Sequence, residues 1–385
     1  MQRELSSPRR AKRAVLVSVH YWGSKRRAGF HWLADALWRA GWEVVFVTAS
    51  VSWLSTLRRD FRMAYGVRRE ANRLLVVRER LRQYVWFTPW HPANLRDERL
   101  NRLSSPLFRR YGELRLGPLA DVARGADLFI FESTPGLLLF DRFKRLAPDA
   151  RFVYRVSDDL RLLRSHPVVL EAERRSAPRF DLVSVPSASM LHLFPGLDNV
   201  MVNPHGIRAD LFDADAPSPY PAGGGRNVVF AGMPPFDTDF LTRAARLFPT
   251  WQFHIIGPVS GLPGLTNVHA HGERPFEETV PYLKHADIGL HTPTYDPGVE
   301  SRADSLKVIQ YTYCRLPIVA PEFLRSARSH VFPYRPGDDE SVRAALTAAA
   351  GCDRAGIARD GISSWDDLAA LLSRGEEAVY GAAIA

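Results

Sequence analysis

Lysine is scarce in this arginine-dominated chain, at five residues in 385. One of the five, Lys307, lies in the segment Ala303-Asp304-Ser305-Leu306-Lys307-Val308-Ile309-Gln310-Tyr311. Asp304 or Ser305 is suited to cap a helix there, which leaves first-turn amides pointing outward as orphan donors. A cation within that turn is opposed by the helix dipole, and an anion in front of it removes the conflict. A diphosphate fits the place, with Gln310 on the same face one turn later. Taken alone, a lysine reaching from a helix start into water is the commoner arrangement.

The second chemical candidate is Ser157-Asp158-Asp159, directly after the apolar run Arg151–Val156. A carboxylate at the C-terminal edge of a strand can accept the proton of a sugar hydroxyl attacking an anomeric carbon, and one base is sufficient for inversion. Adjacent carboxylates point apart, so Asp158 and Asp159 need not share a role. Capping the next helix, or pairing with Arg155 or Arg161, are the structural alternatives. Two Asp-x-Asp pairs, Asp213/Asp215 and Asp237/Asp239, have the form of a metal–nucleotide site. The first falls in a Pro/Gly-rich stretch and the second reads as a helix cap, so no metal is expected. His254, His269, His271, His285 and His291 lack ligand spacing and read as structural. Gly232-Met233-Pro234-Pro235 and the run Gly257–Gly264 are loops after strands, suited to covering a nucleotide. Neither ends in the Walker pattern or carries the Rossmann glycine fingerprint.

These residues need a frame. Ala14–Val19 is a continuous apolar run ending at His20-Tyr21-Trp22-Gly23, which predicts a buried parallel strand entering a functional loop. Phe30, Leu33, Leu37 and Ala40 recur at helical spacing, Gly41 closes the helix, and Glu43–Thr48 returns as a strand. Ala126–Phe131, Arg151–Val156 and Asp181–Val185 continue the series, with helices over Pro135–Leu146 and Pro167–Ala177. After a Pro/Gly/Ser-rich stretch it restarts, with strands at Asn227–Gly232, Trp251–Ile256, Val268–Ala270, Asp287–Leu290 and Pro317–Ala320. Helices are expected at Phe240–Leu247, Pro275–His285 and Ser305–Cys314. The expected fold is therefore α/β, two Rossmann-like domains facing across a cleft, with ligands beyond the C-terminal strand ends. The expected divisions are an N-terminal domain over residues 1–203, a linker over 204–225, and a C-terminal domain over 226–385 whose last helix packs back on the first domain.

Charge divides the same way. Net charge is +9, but residues 1–200 carry 35 Lys+Arg against 20 Asp+Glu, and the remainder 16 against 22. The densest stretch, Leu54–Phe87, interleaves arginines, among them Arg58, Arg59 and Arg62, with apolar residues such as Phe61, Tyr65, Tyr84 and Trp86. That mixture suits an anionic membrane surface, with nucleic acid and an ordinary solvated face as rivals. Cys314 and Cys352 are the only cysteines and sit in no ligand or disulfide pattern. The polar, basic start Met1–Arg13 leads into no signal-type apolar core, and no apolar stretch is long enough to span a bilayer. A reducing, cytoplasmic setting, peripheral to the inner face of the cell membrane, is the expectation.

Phe129-Ile130-Phe131-Glu132-Ser133, Val153 through Asp158, Pro204-His205-Gly206-Ile207, and Ala303 through Lys307 with Gln310-Tyr311 and Leu316-Pro317 resemble the GumK glucuronosyltransferases. The resemblance extends over nearly the whole chain and implies the two-domain GT-B fold. It implies an inverting, metal-independent transfer of a sugar, glucuronate in the family, from a UDP-sugar to a lipid-linked glycan in exopolysaccharide synthesis. No cofactor and no nucleic acid are implied. Asp158 matches the family's base, and Lys307 the lysine on the donor phosphates. Met233, Ser305, Leu306 and Gln310 fall on donor-site positions, and Tyr295, or else Thr292, on a uridine-stacking tyrosine. Arg274 is placed to pair with a phosphate or a sugar carboxylate. Glu132 suits either orienting a sugar hydroxyl or capping a helix. Leu306 stands where the family has methionine and Asp159 where it has glycine, departures that bear on the sugar. A nucleotide-sugar or polysaccharide-binding protein without turnover, or a transferase of a neutral sugar, is the alternative.

Overall fold

The computed structural model describes residues 11–374 apart from positions 26 and 59. The basic start through Arg10, Arg59, and the end of the C-terminal domain from residue 375 lie outside the described residues, as does the side chain of Phe61.

Two sheets organise the chain. The first contains β1 (Arg13–Ser18), β2 (Glu43–Ser52), β3 (Leu74–Arg78), β4 (Leu81–Thr88), β5 (Leu128–Glu132), β6 (Arg151–Arg155), β7 (Leu182–Val185) and β8 (Val200–Val202), in the order β3-β4-β2-β1-β5-β6-β7-β8. The second contains β9 (Asn227–Ala231), β10 (Gln252–Ile256), β11 (Val268–Gly272), β12 (Ile288–Leu290), β13 (Ile318–Pro321) and β14 (Val331–Tyr334), in the order β11-β10-β9-β12-β13-β14. Every pairing is parallel except β3 with β4. Parallel strands need crossovers on both faces, so β1 is apolar on both sides: Val15 and Val17 join one core cluster, Ala14 and Leu16 another. The strand order reverses between β1 and β5 and again between β9 and β12, and loops leaving those strands open onto the cleft.

Three features depart from the sequence reading. Leu54–Phe87 is not one basic surface, because β3 and β4 form a hairpin there and β4 carries Leu81, Tyr84 and Trp86 into the core. Pro135–Leu146 splits into a 3-10 turn, Pro135–Leu139, and a short α-helix, Phe140–Leu146. At that turn a Cβ on Gly136 would lie 2.6 Å from Val17 Cγ1, so the chain hugs β1 too closely for a larger residue. The stretch 204–225 is partly built into the second half: Ile207 bridges to Ser364, a helix spans Ala209–Asp213, and Phe212 and Tyr220 enter the core beside Val229 and Ile318.

The Trp365–Ser373 helix crosses back to the first half. Trp365, Leu368 and Leu372 pack with Trp32, Leu33 and Leu37 of the Gly29–Arg39 helix, and Arg39 meets Asp366 at 2.8 Å. A Cβ on Gly29 would come within 3.0 Å of the Trp365 ring, so glycine permits the approach. Among the described residues no helix is long and apolar enough to cross a membrane.

Candidate active site

The first-domain wall of the cleft is built where β1, β5 and β6 end. Glu132, the last residue of β5, is buried and accepts from Ser18 Oγ at 2.5 Å and Ser157 Oγ at 3.1 Å. His20 Nε2 lies 3.4 Å from its Oε1. Burial works against the charge on both groups. Their mutual attraction outweighs it, so the imidazole is held above its usual range and the carboxyl below. Ser133 Oγ accepts from the amides of Ser157 and Asp158 at 3.1 and 3.0 Å, fixing the turn that aims Asp158. The Asp158 side chain is open to the gap, yet protein closes round it on the larger scale. That desolvation, with Glu132 beside it, raises its carboxyl to about 6. Arg302 and His20 pull in the opposite direction.

The second-domain wall follows β9 and β12. Ser305 occupies the cap position of the Leu306–Tyr313 helix but makes no cap hydrogen bond, and its Oγ is buried without a partner. Asp304 is no cap either, since it pairs with Arg328 at 2.9 Å and accepts from Ser187 of the first domain at 3.2 Å. The helix start thus keeps its orphan amides. Lys307 is partly buried, its Nζ 3.8 Å from the Phe230 ring centroid. Burial, then Arg302, lowers its ammonium to about 7, and it makes no ion pair among the described residues. His291 Nε2 lies 2.9 Å from the Arg302 carbonyl and fixes the backbone that presents Arg302 to the gap. Gly232 leaves room for the lysine, since a Cβ there would sit 2.8 Å from Lys307 Cε.

Two cavities adjoin between these walls. One, of about 330 Å³, is lined by Met233, Arg274, Lys307 and Gln310, with Arg27 reaching it from the first domain. The other, of about 260 Å³, holds His20, Glu132, Asp158, Arg302 and Ser305. Leu306 lines both, at the point where they meet. An elongated anion with its charged middle at the helix start would place its far end beside Asp158.

Residues 16–186 match the family described as glucuronosyltransferase GumK, N-terminal domain. A UDP-glucuronate:glycolipid 2-beta-glucuronosyltransferase of Xanthomonas campestris pv. campestris is 31% identical over 338 residues, 87% of this chain and 83% of that protein. The chain belongs to the GumK family. Its structure is also similar to that of Anabaena HepE in complex with UDP and glucose, with a TM-score of 0.60 at 15% identity over 94% of this chain and 98% of the other. An Escherichia coli structure described as trehalose-6-phosphate bound with UDP-2-fluoro glucose gives 0.51 at 14% identity, covering 94% and 96%. At such identities the likeness is one of fold, and the fold is GT-B. This member of the GumK family is a glycosyltransferase.

Of the residues singled out in the sequence, Met233, Arg274, Leu306, Lys307 and Gln310 come together around the larger cavity, and Asp158 and Ser305 around the smaller. Arg274 bonds Glu278 at 3.3 Å while its Nε is buried without a partner. Tyr295 lines neither cavity. It is 64% exposed and packs against Phe323. Thr292, the alternative, is fully buried and lines neither cavity. The aspartate pairs are occupied elsewhere: Asp237 caps the Thr238–Leu247 helix, Asp239 pairs with Arg243, and Asp213 accepts from Tyr313. Asp159 pairs with Arg161. His254 stacks on His269 and His271, and none of the three lines either cavity. Sequence reasoning missed Arg27 and Arg302. Arg27 is held between Trp22 and Trp32, with its Nη1 buried and unpartnered. Its only signal was its place in the loop after β1.

Proposed function

We propose that this enzyme transfers glucuronate from UDP-glucuronate to a lipid-linked glycan by a single inverting displacement without a metal, at the cytoplasmic face of a membrane. The observation that carries the reading is the position of Asp158 across the gap from an uncapped helix start bearing Lys307. The diphosphate would lie on the amides of that helix with Lys307 beside it, and Arg27 and Arg274 would close on it from either side. The acceptor hydroxyl would then meet the anomeric carbon next to Asp158. Its proton passes to Asp158 as its oxygen forms the new glycosidic bond. The bond to the β-phosphate breaks with its electron pair on UDP, where Lys307 and the helix amides stabilise the charge.

Glucuronate is favoured over a neutral sugar by Arg302. It lines the reaction-side cavity and makes no ion pair among the described residues, so the donor's carboxylate can pair with it. The relative's activity supports the same donor. The decisive comparison is transfer against binding. Asp158→Asn should lower kcat by roughly 10²–10⁴-fold with UDP affinity unchanged, whereas Lys307→Ala should weaken UDP binding. Full transfer by Asp158→Asn would remove the base from this scheme.

A further inference from the structure

A separate cavity in the first domain has no part in the donor chemistry. It measures about 820 Å³ and is lined by Arg58, Arg96, Arg161 and Arg164, together with Leu163 and His166, and by no Asp or Glu. The loops carrying these residues leave β2, β4 and β6, so the cavity opens at the C-terminal edge of the sheet, where ligands of open α/β folds bind. Four guanidinium groups around one space repel one another unless an anion enters it.

The charges are only partly answered from within. Arg161 meets Asp159 at 3.0 Å, and Arg164 reaches Asp296 of the second domain at 3.8 Å. Among the described residues Arg58 bonds only the Asn94 carbonyl, at 3.4 Å. Arg96 makes no ion pair among the described residues. The wall is held firmly nonetheless. Asn94 Nδ2 donates to the Arg164 carbonyl at 2.8 Å, and Ser104 Oγ lies 3.1 Å from His166 Nε2. Arg96 and Arg164 both hold positive φ, 61° and 49°, which a residue with a Cβ adopts where its surroundings dictate it.

Beside the arginines the surface is apolar. Leu163 is exposed in the wall, and the Glu98–Arg109 helix, starting two residues after Arg96, turns Leu100, Leu103 and Leu107 to solvent. Their spacing puts them on one face. Clustered cations next to a leucine stripe match a phosphate group attached to a long apolar chain.

We propose that this groove binds the phosphate or diphosphate joining the acceptor's glycan to its lipid. The inference rests on the reading of this enzyme as acting on a lipid-linked acceptor and adds where the lipid end is held. Asp158 and Arg161 lie three residues apart in the segment that follows β6, whose turns are closed by Leu163 N on the Asp159 carbonyl at 3.1 Å and by Arg164 N on the Arg161 carbonyl at 2.9 Å. The groove and the reaction-side cavity therefore share that wall, with the glycan crossing it to reach the base.

The test uses farnesyl diphosphate, with inorganic pyrophosphate and farnesol as its separate halves. Each is titrated calorimetrically into the full chain saturated with UDP, so that the donor cavity is filled. Farnesyl diphosphate should bind at least tenfold more tightly than pyrophosphate. The Arg96→Gln/Arg164→Gln variant, changed at two exposed positions, should lose tenfold or more of that affinity with UDP affinity and thermal midpoint unchanged. Equal affinity in the variant would overturn the proposal. So would farnesyl diphosphate binding only when UDP is absent, or pyrophosphate binding as tightly as the lipid, which would mark a free-phosphate site. Failure of the unaltered protein to bind UDP at all would instead sink the reading of this enzyme as a UDP-sugar transferase acting on a lipid-linked acceptor, on which the proposal rests.

Discussion

At the scale of single residues, the site sets two ionisations against each other. Asp158 works as a base only when ionised, so activity is lost as pH falls through about 6. Lys307 attracts a diphosphate only when protonated, so in the free enzyme donor capture is lost as pH rises through about 7. The profile of kcat/KM for UDP-glucuronate should therefore be a narrow bell, while kcat at saturating donor should keep only the acid limb, because the bound anion restores the lysine's charge. Lys307→Met should abolish the alkaline limb. His20 lowers the Asp158 carboxyl by its charge, so His20→Gln should move the acid limb to higher pH. A profile with its acid limb unmoved in that variant would show that His20 does not tune the base. Arg302→Gln makes a different demand, on selectivity. It should cost UDP-glucuronate roughly tenfold or more in kcat/KM, the size of a lost charge-assisted hydrogen bond, and cost UDP-glucose little. An equal loss with both donors would take the sugar carboxylate away from Arg302. Asp158 and Lys307 could be singled out in the sequence because each sits at a strand or helix boundary, but position alone left structural alternatives open and the family resemblance supplied the roles proposed for them. Arg27 and Arg302 could not be, because an arginine among 51 basic residues carries no local mark until the fold brings it to the gap.

Elements differ in legibility for a related reason. Strands such as β1 and β9 are buried on both faces and read as unbroken apolar runs, whereas β3 lies at the sheet edge with Val76 exposed and Arg73 and Arg78 around it. Its pattern alternates weakly, and it leaves β4 flanked on both sides, by β3 and by β2, so that Tyr84 and Trp86 face the core beside Tyr111 and Leu116 rather than solvent. Tight approaches are equally invisible in one sequence. Gly257 has φ +136°, and a Cβ there would lie 2.0 Å from the Gly232 carbonyl oxygen. Gly257→Ala must therefore push apart the β9 and β10 loops under the donor cavity, and it should weaken UDP binding more than it lowers the unfolding midpoint. The Trp365–Ser373 helix makes the opposite case, since it carries stability from one half of the chain to the other. Trp365 is almost wholly buried against the Gly29–Arg39 helix, so Trp365→Ala should cost about 3–5 kcal/mol by chemical denaturation. It should also uncouple the halves into two unfolding transitions. A single transition of unchanged midpoint would show that the helix contributes little to holding them together.

Taken whole, the molecule is electrically lopsided, with its positive excess in residues 1–200. Within Leu54–Phe87 the inner residues of β4 and a few others such as Arg62 and Val67 are buried, so any membrane-facing surface has to be assembled from the part that stays outside. Trp53 and Leu57 are 52% and 81% exposed, with Arg68 stacked over Trp53 at 4.2 Å, and Leu103 on the Glu98–Arg109 helix is 77% exposed. Apolar side chains fringed by arginines gain in two ways at an anionic bilayer: each cation near the surface contributes about 1 kcal/mol, and inserted leucines add their burial. The first gain is screened by salt and the second is not. The protein should therefore sediment with phosphatidylserine-containing vesicles at low salt, less at high salt, and poorly with vesicles of phosphatidylcholine alone. Leu57→Asp combined with Leu103→Asp removes inserted apolar groups from exposed positions where folding does not depend on them, so it should release the protein from the anionic vesicles while UDP binding in solution is retained. Sedimentation that persists undiminished in that variant would mean that these leucines do not insert, and the orientation of the first domain on the membrane would have to be sought on another face.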